Sequence, residues 1–108
     1  MVTENLSITE ERQLRDYELV VVISPEVAGE NLEAAIDNVT RLIIGKGGIV
    51  SDTERWGQRK LAYPIRHFME GSYVLFKLRL SPSAGKEVEA SLRVSQEVLR
   101  HLLIRLGE

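Results

Sequence analysis

The order in which the hydrophobic period changes along this chain constrains its fold more than any other feature. Tyr17, Leu19, Val21 and Ile23 recur at every second position, with Glu18, Val20 and Val22 between them. That alternation of β-branched and aromatic residues suits a central strand buried mainly on one side. Ser24-Pro25 ends the run, because proline donates no ladder hydrogen bond. The period then lengthens. Leu32, Ile36, Val39 and Ile43 share one side of a helix of about four turns, opposite Glu33, Asp37 and Arg41. Gly45, Gly47 and Gly48 stop the helix, since glycine adopts the left-handed C-cap conformation at little cost. The Gly-Lys-Gly-Gly run is no phosphate loop: it lacks the Walker spacing and follows a helix instead of leading into one.

The second half repeats the alternation. A long strand is expected from Ile49 toward Tyr63, broken or bulged near Gly57 and ended by Pro64. Arg66 to Glu70 reads as a loop, and Gly71 opens a third strand over Ser72 to Leu80. On it Val74, Phe76, Leu78 and Leu80 share one face, and Tyr73, Leu75, Lys77 and Arg79 the other. Ser81-Pro82-Ser83 begins a second helix with Val88 and Leu92 one turn apart, and a last strand runs from Val98 to Leu106. The order is β-α-β-β-α-β. Two crossovers around a hairpin predict an α+β, ferredoxin-like split βαβ fold: a four-stranded antiparallel sheet with both helices on one face. Residues 1–14, polar with few apolar positions, are expected to be a mobile extension, and residues 15–108 the folded domain.

Bulk properties bound the function classes. With 108 residues and 44% hydrophobic content, the chain suits one globular domain. The absence of cysteine excludes disulfides, thiolate metal sites and thiol nucleophiles. No apolar run approaches the roughly 18 residues of a membrane span, and no secretory pattern opens the chain. A soluble, cytosolic protein without membrane association is the expectation. The net charge of −2 runs against the basic surplus usual in nucleic-acid binders. Its distribution is more telling. Glu26 to Glu54 holds six acids against Arg41 and Lys46, a balance of −4, whereas Arg55 to Arg79 holds six bases against Glu70, a balance of +5. One face could attract phosphate while another stays acidic.

The sequence offers no catalytic constellation. His67 and His101 stand apart from any nucleophile or metal-ligand spacing and read as surface residues. No enzyme activity, cofactor, metal or small-molecule substrate is expected. Binding offers more. The strand after Gly71 partly echoes the aromatic-rich strand of RNA-recognition domains, but Tyr73 and Phe76 differ in parity and cannot share a face. Trp56 reads equally well as packing against the hairpin. Arg59-Lys60 points to opposite faces of a strand, so one of the pair should reach solvent and a phosphate. A charged edge that blocks sheet-to-sheet association explains the same pair.

The strongest pointer is Gly57-Gln58-Arg59-Lys60-Leu61-Ala62-Tyr63-Pro64-Ile65, followed by Gly71 and Tyr73. With Arg15-Asp16-Tyr17-Glu18, Ser24-Pro25, Gly47-Gly48, Arg93-Val94 and Val98-Leu99-Arg100 in the same order, it resembles the family of the sixth protein of the bacterial small ribosomal subunit, over about residues 15 to 106. The resemblance implies a structural, non-enzymatic protein of the cytoplasmic ribosome. It further implies binding to the central domain of the small-subunit ribosomal RNA, as a heterodimer with the basic small-subunit protein eighteen. Such a partner would supply phosphate neutralisation that a chain of net charge −2 lacks, and the acidic stretch could meet it through complementary potential. RNA contact carries over to the basic landmark positions Arg15, Arg59, Lys60, Arg93 and Arg100, whereas Tyr63 and Pro64 are expected to fix the hairpin. Two alternatives remain open at this point: a free-standing RNA-recognition module, and a small-molecule-binding regulatory or acylphosphatase-like domain on the same fold. Ser24-Pro25-Glu26-Val27-Ala28 argues against the last, since an acid there repels phosphate.

Overall fold

A computed structural model describes residues 13–107. The expected N-terminal extension lies almost wholly outside the described residues. The elements are β1 (Arg15–Ile23), α1 (Glu30–Gly45), β2 (Ile49–Ile65), β3 (Phe68–Leu80), α2 (Pro82–Val94) and β4 (Val98–Arg105). The four strands form one antiparallel sheet in the order β2-β3-β1-β4. Both helices cover the same face, giving the ferredoxin-like arrangement expected from the sequence.

The period-two residues of β1 and β3 face the helices. Leu19, Val21, Ile23, Val74, Phe76 and Leu80 are buried there, with Leu19 opposite Phe76 and Val21 opposite Val74. From above, α1 contributes Ala35, Ile36, Val39 and Ile43, and α2 contributes Ala84, Val88 and Leu92. Phe76 is the largest fully buried side chain; removing such a ring costs about 3–5 kcal/mol in lost transfer energy and cavity formation.

The helix ends follow their local chemistry. Gly47 (φ +87°) turns the chain after α1, its N–H donating to Ile44 O at 2.9 Å, while Gly48 N–H donates to Ile43 O at 2.9 Å. This is a Schellman ending. Gly48 has a second reason to lack a side chain: a Cβ there would lie 2.6 Å from Leu80 Cδ2 and 3.0 Å from the carbonyl oxygen of Arg79. At the start of α2, Ser81 Oγ accepts from Ala84 N–H at 3.2 Å, and Pro82 occupies the first turn, where no N–H is needed.

Two boundaries differ from expectation. The loop expected over Arg66 to Glu70 is a two-residue turn, and β3 starts at Phe68, paired with Ile65. Arg66 (φ 51°) and His67 (φ 74°) both lie in the left-handed region that a tight hairpin turn demands. No Gly, Asn or Asp marks the position, so the sequence does not announce the turn. Pro64 does not end β2, which reaches Ile65; ladder pairing is interrupted between Lys60 and Ile65, and a proline fits there without losing a hydrogen bond.

Candidate nucleic-acid interface

Ladder register separates the residues of the helix-free face. Asp52, Lys77, Glu18 and Ile104 align across the sheet, then Glu54, Leu75, Val20 and Leu102, then Gly57, Tyr73, Val22 and Arg100. The Tyr73, Leu75, Lys77 and Arg79 face expected from the sequence is therefore this open one. Its β4 side leaves Leu102 49% and Ile104 42% exposed.

Beyond this plane the β2–β3 hairpin continues as an arm. Its register shifts between Arg55 and Gly57, where Gly57 takes φ +82°. That is the bulge expected at Gly57, and Trp56 is its extra residue. The bulge breaks the simple alternation and turns Trp56 onto Tyr73, with ring centroids 6.5 Å apart and planes 12° from parallel. The Arg59 guanidinium lies 5.2 Å from the Trp56 centroid, and Trp56 Nε1 donates to Glu54 Oε1 at 3.2 Å. The arm then bends across the end of the sheet. Although β2 and β4 are opposite edges, Arg100 Nη1 of β4 donates to Tyr63 Oη at 3.4 Å, and Arg66 Nη1 donates to Gln96 O before β4 at 3.0 Å. At the base of the arm Gly71 packs closely on β1, where a Cβ would collide with Val22 Cγ1.

Ion pairing redistributes the basic stretch. Arg55 is held by both carboxylate oxygens of Glu33 on α1, including Nε to Oε2 at 3.2 Å. These hydrogen bonds, aided by the charge of Glu33, push its guanidinium above the ordinary arginine value. Lys77 pairs with Glu54 at 3.5 Å and Arg79 with Asp16 at 3.3 Å. Such exposed pairs contribute little stability, about 0–1 kcal/mol each, but they neutralise charge locally. Among the described residues, the bases of this stretch left outside ion pairs are Arg59, Lys60 and Arg66. All three lie on the arm or its turn. The acidic stretch is likewise part-engaged, through Glu33 and Glu54.

The five candidate RNA contacts do not form one cluster. Arg59 and Arg100 occupy the open face, separated by β3 and β1, and both are exposed. Lys60 is exposed on the opposite side of the arm, paired in register with Glu70. Arg93 lies in the last turn of α2, in the helix layer. Arg15 starts β1, at the far end of the sheet from the arm. His101 differs from its expected surface role: its side chain is 12% exposed, and Nε2 lies 3.0 Å from Glu89 Oε1 on α2. It anchors a helix to the sheet. Among the described residues no group of His, Asp and Glu is placed to hold a metal, and no helix is long and apolar enough to cross a membrane.

Residues 16–105 match the family model for ribosomal protein S6. The chain belongs to that family. Along its whole length it is 37% identical to the small ribosomal subunit protein bS6 of Dehalococcoides mccartyi, of which it covers 99%. It is 38% identical over 95 residues to the bS6 of Moorella thermoacetica, covering 88% of this chain and 97% of that one. Among solved structures, the 30S ribosomal protein S6 of Thermotoga maritima superposes with a TM-score of 0.80 at 33% identity, covering 86% of this chain and 88% of that one. A homoserine dehydrogenase from Thiobacillus denitrificans shares the fold alone, with a TM-score of 0.58 at 13% identity over 19% of its length. As an S6 family member the chain is a non-enzymatic protein of the small ribosomal subunit, located with the ribosome in the cytoplasm.

Proposed function

We propose that the chain binds the central domain of the small-subunit ribosomal RNA jointly with small-subunit protein eighteen. The observation that carries this reading is the charge left on the arm. Three of the six bases from Arg55 to Arg79 are tied into ion pairs, and the remaining three, Arg59, Lys60 and Arg66, all lie along the arm or at its turn. An extended basic arm suits an RNA backbone, where positive side chains release counterions. Arg59 and Lys60, on opposite sides of the arm, would contact phosphates, and Arg100 would extend the contact across the open face. Arg15, at the far end of the sheet, lies too far from the arm to join that contact and would meet another RNA segment. Arg93, in the last turn of α2, instead stands three residues before Gln96, whose carbonyl accepts from Arg66 of the arm's turn.

A net charge of −2 supplies too little phosphate neutralisation for tight binding alone, which favours joint binding with a basic partner. The exposed Leu102 and Ile104 of the open face offer that partner apolar area. A free-standing stacking module is disfavoured, because Trp56 is already stacked on Tyr73 and capped by Arg59. The test is a gel-shift titration of a central-domain RNA fragment with this protein, with and without protein eighteen. Tight binding only with both proteins is the expected result. Equally tight binding by this chain alone would replace joint binding with an autonomous RNA module, and no binding in either mixture would overturn the reading.

A further inference from the structure

A second basic feature lies at the end of the sheet remote from the arm. The ends of β1 and β4 border a cleft of about 390 Å³ lined by Arg15, Arg105 and Asp16, with Leu14, Leu106 and Gly107 completing it. Arg105 stands opposite Tyr17 in the β1–β4 ladder. Arg15 is therefore its diagonal neighbour on the same face, a relation that places two residues about 7–8 Å apart and within reach of one another for long side chains. Arg105 is exposed, whereas Arg15 is half-buried, and its Nε is buried with no hydrogen-bond partner among the described residues. A buried guanidinium N–H without an acceptor is costly. The acid of the cleft does not answer it: Asp16 points to the other face of the sheet, where Arg79 Nε holds its carboxylate at 3.3 Å.

We infer that this cleft is a phosphate site, taking one phosphodiester of an RNA backbone between Arg15 and Arg105. Two guanidiniums approaching from adjacent strands match an anion with two outward oxygens, whereas a carboxylate is satisfied by one guanidinium fork. The Arg15 Nε–H then gains its missing acceptor, and Arg105 closes the site from the solvent side. The cleft would hold RNA at the opposite end of the molecule from the arm, giving Arg15 a contact independent of Arg59 and Lys60 and fixing the orientation of the protein on the RNA. This rests on the RNA-binding reading above.

The test has two arms, so that failure of the site and failure of that reading are distinguishable. In the free protein, inorganic phosphate titrated against the arginine Nε–Hε resonances should shift Arg15 and Arg105 saturably, while exposed Arg41 on α1 moves only with ionic strength. In the complex with RNA and protein eighteen, Arg105→Gln should weaken binding about 5–10-fold and reduce the salt slope by about one unit. Arg105 is exposed, so this substitution spares the fold, and Arg41→Gln should change neither quantity. An Arg15 resonance that follows Arg41, or Arg105→Gln binding with unchanged affinity and slope, would overturn the site. Should the wild-type complex not form at all, the function reading fails and the phosphate titration alone decides the cleft.

Discussion

The β1–β3 centre of the sheet and the β2–β3 arm are built from the same kind of ladder, yet they are opposites in every other respect. At the centre, Leu19, Val21, Val74 and Phe76 are essentially inaccessible beneath two helices. Along β2 no residue is fully buried, and its backbone is interrupted by bulges at three places. Register slip is costly where one face must be dry, and tolerated where neither face is. The arm is therefore free to carry a bulge at Gly57, a proline at position 64 and unneutralised cations, any of which would destabilise the centre. Stability resides in the centre, and the recognition proposed above belongs to the arm.

Substitutions at the centre should damage folding far more than RNA contact. Phe76→Ala is expected to lose about 3–5 kcal/mol of unfolding free energy, read by urea denaturation, with RNA affinity unchanged in whatever fraction stays folded. Gly48→Ala probes the junction of the two regions, where the new methyl meets Leu80, Ile43 and the backbone of Arg79. Overpacking there should cost about 1–3 kcal/mol, and a neutral result would mean that the start of β2 yields as readily as its tip. Ser81→Ala removes the N-cap of α2 and should lower stability by about 1 kcal/mol, visible as a shifted urea midpoint with unchanged slope. The smallest effect is expected at the exposed Glu33–Arg55 pair. Glu33→Gln should alter stability by less than about 1 kcal/mol while releasing a cation at the base of the arm, so RNA affinity should rise slightly. A fall would show that Arg55 must be held in place for the arm to bind.

The centre was legible in the sequence because burial writes its period there: the alternation from Tyr17 to Ile23 and the helical spacing from Leu32 to Ile43 both survive intact. The bulge was legible through Gly57 alone. Its consequence was not, because the Trp56–Tyr73 stack depends on a register shift that neither residue signals, and period-two reasoning fails at such a shift. The turn at Arg66-His67 carries no turn residue that would announce it; its left-handed backbone is what a two-residue hairpin requires. His101 looked like a surface residue because its partner, Glu89, belongs to another element. Of the candidate contacts, the adjacent Arg59-Lys60 could be placed from sequence, whereas the wide separation of Arg15 from the arm only becomes apparent once the strands are ordered.

The most direct measurement is made on the double variant Arg59→Ala/Lys60→Ala, comparing its urea unfolding with its binding to central-domain RNA in the presence of protein eighteen. Unfolding free energy should stay within about 1 kcal/mol of the wild type, the size of the exposed Arg59–Trp56 contact that is lost. RNA affinity should fall at least tenfold, with the salt slope reduced by about two units. Undiminished RNA affinity, or a loss of affinity matched by a loss of folding, would contradict the division of the molecule into a stabilising centre and a recognising arm.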